Sequence, residues 1–126
     1  MALTQAELQS LFEVRNRAPH QLLFPRAAAV VHQGGAGTLA QAVRAGRPMV
    51  VVPHAHDQPD NAFRMARLGV ARIVRPRSYR APRVAHELER LLGEENYRAR
   101  AAEVAATVRS EGGAASAAAA IGALLG

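Results

Sequence analysis

Four small residues, Gly34-Gly35-Ala36-Gly37, separate two apolar runs and constrain the fold more than any other feature of the chain. Before them, residues 28–31 are small and β-branched and stop at His32, the pattern of a short buried parallel strand. After them, residues 38–45 put Leu39, Ala42 and Val43 on one helical face, with Gly46 as a stop and Pro48 just beyond. Residues 49–52 repeat the strand pattern and close at Pro53. Strand, glycine turn, helix, strand is the unit from which parallel sheets are built. The glycine turn and the polar loop Asp57-Gln58-Pro59 then belong to one edge of that sheet, the carboxyl edge, where ligands bind in such folds.

The flanking sequence supports an α/β fold class. Leu3, Leu8, Leu11 and Phe12 predict a short amphipathic helix over residues 3–13, and a turn follows at Arg17-Ala18-Pro19. Residues 21–24 read as one helical turn ended by Pro25. A helix is expected over 59–68 with Ala62, Phe63, Met65 and Ala66 as packing residues, then a short strand over 70–74, set at the sheet edge because of Arg72. Beyond Arg75 the character turns helical. Val84, Leu88, Leu91 and Leu92 form a stripe after Arg80-Ala81-Pro82, residues 96–109 are Ala-rich, and a last helix of nearly pure Ala over 114–125 follows Gly112-Gly113. We read residues 1–126 as a single domain, with a motif-bearing core over 14–74 and a helical tail over 80–126 whose apolar surface needs a partner.

Composition narrows the function. The net charge is +6 and all 16 basic residues are Arg, but they are dispersed, no nucleic-acid module accompanies them, and aromatics make up 4% of the chain. Nucleic-acid binding is therefore not expected. No apolar run approaches the ~18 residues of a membrane span. The start Met1-Ala2-Leu3-Thr4-Gln5 has neither the basic segment nor the apolar centre of a secretion signal, and cysteine is absent, so a cytoplasmic location is expected.

The glycine turn has a definite chemistry. Glycine serves where the backbone takes a positive φ or approaches a ligand closely. At a strand-to-helix junction, exposed N–H groups and the positive end of the helix converge, a ready site for phosphate. Thr38 can add a hydroxyl and His32 a ring N–H. The alternative is a tight turn that serves only to pack helix against sheet. A Walker loop is excluded, since the chain has no Lys, and the glycine spacing is not that of a dinucleotide fingerprint. No Asp-x-Asp pair is present to hold a metal against a diphosphate, so the helix dipole and His32 would have to offset its charge. His54 and His56 beside Asp57 lack a further ligand set and read as polar loop residues rather than a metal site. His86, with Glu87 and Glu89, reads as helix surface.

The combined pattern is more specific than its parts. His32-Gln33-Gly34-Gly35-Ala36-Gly37-Thr38, Arg44-Ala45-Gly46-Arg47-Pro48, Val51-Val52-Pro53 and Asp57-Gln58-Pro59-x-Asn61-Ala62 resemble the donor-binding motif of UDP-glycosyltransferases, and most of all the bacterial branch acting on macrolides, other polyketides, glycopeptides and sterols. The resemblance implies a Rossmann-like parallel sheet with flanking helices, part of the C-terminal domain of a GT-B enzyme, with the helical tail. It implies that His32, Gly34, Gly35, Gly37 and Thr38 hold the diphosphate of a nucleotide sugar and that Asp57 and Gln58 contact sugar hydroxyls. Asp57 has a second reading, as N-cap of the helix near Pro59. It further implies inverting transfer of a hexose to an acceptor hydroxyl without metal or other cofactor.

Two departures from the family pattern bear on the nucleotide. Plant members place Trp and Gln around the base, where this chain has Arg17 and His20 flanking Ala18-Pro19, and Glu on the ribose, where it has Ala40. UDP and dTDP both stay open. In the family the catalytic base and the acceptor pocket lie in an N-terminal domain, and the first donor-domain strands precede the position of residue 14. The expectation is therefore an incomplete enzyme, inactive alone: a truncated product, a fragment, or the donor subunit of a split enzyme that needs an acceptor domain. An orphan α/β remnant without ligand is the remaining alternative.

Overall fold

The computed structural model describes residues 4–6 and 19–126. Of the helix expected over 3–13, Gln5 and Ala6 are described and are helical; its remainder, and the turn residues Arg17 and Ala18, lie outside the described residues.

Three strands form one parallel sheet in the order β1-β2-β3: β1 is Val30–His32, β2 is Met49–Val51 and β3 is Ala71–Ile73. Val30 stands opposite Met49, and Met49 opposite Ala71. β3 occupies an edge, as expected, and β1 the other. β1 runs through His32 rather than stopping before it, because the His32 carbonyl accepts from Val52 N–H at 2.8 Å and keeps the ladder going. The central strand is fully buried. Met49, Val50 and Val51 are all 0% exposed, each burial worth about 1.5–3 kcal/mol.

Alternation along β2 sends these side chains to two layers. Met49 and Val51 pack with Phe24, Val30, Ala42, Ala62, Val70, Ala71 and Ala101, whereas Val50 packs with Val52, Val74 and Leu91 on the opposite face. Helices accordingly cover both sides. The short α1 (His20–Leu23) leads through a 3-10 turn at Phe24–Arg26 into the sheet; α2 (Ala36–Arg44) and α3 (Gln58–Arg67) are the crossovers. A 3-10 turn at Pro76–Ser78 precedes α4 (Ala81–Gly93), α5 (Glu95–Ser110) and α6 (Gly113–Leu125). α2 begins at Ala36, two residues before the expected start, so that Gly37 belongs to the helix and not to the turn.

α5 fixes the far ends of both crossovers. Ala101 and Ala105 are buried, and two of its arginines reach carbonyls left over at helix C-termini. Arg109 Nε donates to Arg44 O at 2.9 Å at the end of α2, and Arg100 Nε donates to Leu68 O at 2.8 Å at the end of α3. Both crossover helices are thereby held at their C-terminal ends.

His86 is exposed as expected, but its neighbour Glu87 is 2% exposed. It faces the sheet because Arg72 of β3 needs a partner there. Arg72 Nε hydrogen-bonds Glu87 Oε2, Arg72 Nη1 donates to Tyr97 OH at 2.9 Å, and Arg83 Nη2 lies 3.0 Å from Glu87 Oε1. The bond to Glu87 also pushes the Arg72 pKa upward. α6 buries no residue and leaves Ile121, Leu124 and Leu125 exposed. No helix among the described residues is long and apolar enough to cross a membrane.

Candidate functional site

The glycine turn lies at the carboxyl end of β1, and its geometry starts with His32. The ring is half-buried; Nδ1 accepts from Gly34 N–H at 3.0 Å, which leaves the proton on Nε2, 3.2 Å from Met49 Sδ. Burial lowers the His32 pKa from 6.5 to about 4. The ring is therefore neutral near pH 7 and its N–H points at sulfur in the core. Positive potential at the turn comes instead from α2. Its first internal bond runs from Leu39 N–H to Gly35 O at 2.9 Å, so the N–H groups of Ala36, Gly37 and Thr38 have no partner within the helix. Between Glu13 and Asp57 the sequence carries no acidic residue to oppose an anion there.

Gly34 has φ +95°, a conformation that suits glycine. Its carbonyl accepts from Asn61 Nδ2 at 2.9 Å, and the same amide donates to Asp57 Oδ2 at 3.0 Å. The loop from Pro53 to Asp57 is closed by Gln58, whose Oε1 accepts from the N–H groups of His54 at 2.9 Å and Ala55 at 3.2 Å. With that oxygen engaged, Gln58 has its amide N–H groups left to offer a ligand. Asp57 precedes α3 but makes no side-chain capping bond, so the N-cap reading explains its position and not its carboxylate. Its residue is exposed.

The structure thus places His32, Gly34 and Gly35 in the turn and Gly37 and Thr38 in the first turn of α2, with Gln58 close to Gly34 and Asp57 tied to it through Asn61. A cleft of about 240 Å³ beside the turn is lined by Val31, His32, Gln33, Val52, His54 and Tyr79. Pro19 caps α1, and His20 reaches α2: His20 Nδ1 is 3.0 Å from Gln41 Oε1, and its ring stacks on Phe24 at 4.6 Å between centroids. Arg17 and Ala18 lie outside the described residues. His54 and His56 are exposed, His56 with φ 59°, and among the described residues no group of three His, Cys, Asp or Glu is placed to hold a metal. Sequence reasoning gave Asn61 no role. Its signal was present, an amide four residues after Asp57 on a helix, where side chains meet.

The parallel three-stranded sheet with its flanking helices matches the C-terminal domain of GT-B glycosyltransferases. CalG4, the calicheamicin glycosyltransferase, superimposes with a TM-score of 0.80 at 30% identity, covering 87% of this chain and 29% of that one. VinC, a glycosyltransferase solved in complex with dTDP, superimposes with a TM-score of 0.70 at 32% identity over 74% of this chain and 24% of its own. In sequence, vancomycin aglycone glucosyltransferase of Amycolatopsis orientalis is 41% identical over 107 residues, 75% of this chain and 23% of that protein. The erythromycin biosynthesis protein CIII-like C-terminal domain matches residues 5–124, and the chain belongs to that family. It spans about a quarter of the length of the curated relatives it matches.

Proposed function

We propose that this domain binds the donor of a glycosyl transfer, a UDP- or dTDP-hexose. The observation that carries the reading is the seam between the two loops: Gly34, which leads into the N-terminus of α2, lies against Gln58 and is joined to Asp57 through the Asn61 amide. A diphosphate suits the first and a polyhydroxylated ring the second. In transfer, the bond from the sugar to the diphosphate breaks and negative charge builds on the departing phosphate oxygen; N–H groups preorganised at that oxygen lower the barrier. His32, Gly34, Gly35, Gly37 and Thr38 form the diphosphate end, with His32 shaping the turn through Gly34, and Pro19 and His20 lie on the nucleoside side. The carboxylate of Asp57 accepts from sugar hydroxyls and the amide of Gln58 donates to them.

No metal or other cofactor takes part in this reading, because the α2 N-terminus does the work of a cation. The base that removes the acceptor hydroxyl proton, and the face from which it attacks to invert the anomeric carbon, belong to an acceptor domain or subunit that completes the enzyme in the cytoplasm. The chain alone is inactive. That VinC was solved with dTDP supports the nucleotide class. Titration calorimetry of the folded chain with UDP, dTDP and UDP-glucose, with and without Mg²⁺, tests the reading. Metal-independent binding of at least one is expected, and no heat with any of them overturns it.

A further inference from the structure

Asn61 is the joint between the two halves of the candidate site, and its chemistry allows no other orientation. Both of its partners, the Gly34 carbonyl at 2.9 Å and Asp57 Oδ2 at 3.0 Å, are acceptors, so the amide must present its NH₂ group to them. That group has two N–H bonds, one for each. Gly34 is held from its other side as well, by the 3.0 Å bond from its N–H to His32 Nδ1, and is buried at a positive φ. Asn61 is itself anchored: its backbone N–H bonds Asp57 O at 3.0 Å in the first turn of α3, and its neighbour Ala62 is 0% exposed.

From this geometry we propose that Asn61 is a positioning residue that sets the diphosphate turn and the Asp57 carboxylate in one fixed register. This rests on the donor-binding reading above. With the strut in place, a ligand that engages the turn finds Asp57 already oriented toward the sugar, and the ordering cost of the second contact is not incurred again. An alanine leaves the Gly34 carbonyl short of a partner and frees the carboxylate to rotate. An aspartate has the right size but no donor, and it faces two acceptors.

The test measures the ratio of the dissociation constants for UDP and UDP-glucose, or for dTDP and dTDP-glucose if the wild type binds thymidine nucleotides. Proteins compared are the wild type, Asn61→Ala, Asp57→Ala and the double variant. Asn61→Ala is expected to weaken the nucleoside diphosphate several-fold and to remove most of the extra affinity the sugar supplies. In the Asp57→Ala background, Asn61→Ala is expected to leave the sugar increment unchanged. Wild-type ratios in Asn61→Ala, or independent effects of the two substitutions on the sugar increment, overturn the proposal. Asn61→Ser, which keeps one donor, replaces the alanine if that variant does not fold. A second readout needs no ligand. In amide NMR spectra, Asn61→Ala should shift the resonances of residues 33–37, across the joint, as well as those of 54–58. Shifts confined to α3 overturn the strut. Absence of all nucleotide binding by the wild type overturns the donor reading instead, and the strut is then decided by the NMR comparison alone.

Discussion

Gly34 passes so close to Val51 that a Cβ on it would stand 3.0 Å from Val51 Cγ1, and 3.2 Å from the Gln58 carbonyl oxygen. Space and backbone agree here, since φ is +95°. Val51 is fully buried in the central strand and Gln58 opens α3, so neither can give way cheaply. Gly34→Ala should therefore destabilise the fold by about 1–3 kcal/mol, the cost of a side chain in a strained backbone region. Urea unfolding followed by circular dichroism checks this, and a midpoint equal to wild type would show that the turn relaxes freely.

Gly37 behaves oppositely. It lies in the first turn of α2, and a Cβ there meets nothing within 4 Å. Gly37→Ala should leave stability unchanged or raise it by up to about 0.5–1 kcal/mol, because glycine in a helix gives up more chain entropy than alanine. The same methyl projects where a phosphate would approach the helix N-terminus, so affinity for UDP or dTDP should fall at least several-fold. A variant that is as stable as wild type and binds as tightly would place the diphosphate elsewhere. The paired readouts separate a glycine kept for the chain from one kept for the ligand.

These two glycines also mark what the sequence can and cannot disclose. Both stand in one motif and look alike as letters; Gly34 owes its place to Val51 and Gln58, which the fold brings up from residues well beyond it. The parallel sheet, its edge strand β3 and the meeting of the two loops were legible because apolar runs, glycines and prolines fall at element boundaries. Glu87 was not. Its neighbours His86 and Glu89 suggested a solvated face, and only the position of Arg72 across the sheet explains its burial. The place of His32 beside the glycine turn was legible but its tautomer was not, since that depends on the Gly34 N–H and on a methionine sulfur seventeen positions away. Pairings between distant residues that match in charge or hydrogen bonding leave little trace in local periodicity.

His32 gives the fold a pH dependence of known sign. Its pKa is held at about 4 in the folded chain against an ordinary 6.5. Between those values the unfolded chain takes up a proton that the folded chain refuses. Stability from this group is complete above pH 6.5 and is lost as pH falls toward 4, at no more than about 1.4 kcal/mol per pH unit. His32→Asn retains an acceptor for Gly34 N–H and removes the titration. Unfolding free energies measured from pH 7.5 to 5 should decline more steeply for the wild type than for this variant. Parallel curves would mean that the ring is not buried neutral.

A buried carboxylate joins α4 to the sheet edge. The Glu87 side chain is 3% exposed and bridges Arg72, whose side chain is 23% exposed, to Arg83 on the surface. Removing one member of a buried pair leaves a charge without compensation, whereas removing both leaves an apolar contact that can pack. Glu87→Leu alone leaves the Arg72 guanidinium without its carboxylate, and should cost about 2–4 kcal/mol, near the range for breaking buried pairs. Arg72→Met added to Glu87→Leu should recover part of that loss, since the stranded charge disappears and only the bond from Arg72 Nη1 to Tyr97 OH is lost with it. A double-mutant cycle in urea unfolding measures the coupling. Additive effects would mean that Glu87 is buried for the packing of its methylene groups and that its carboxylate contributes nothing to holding β3 against α4.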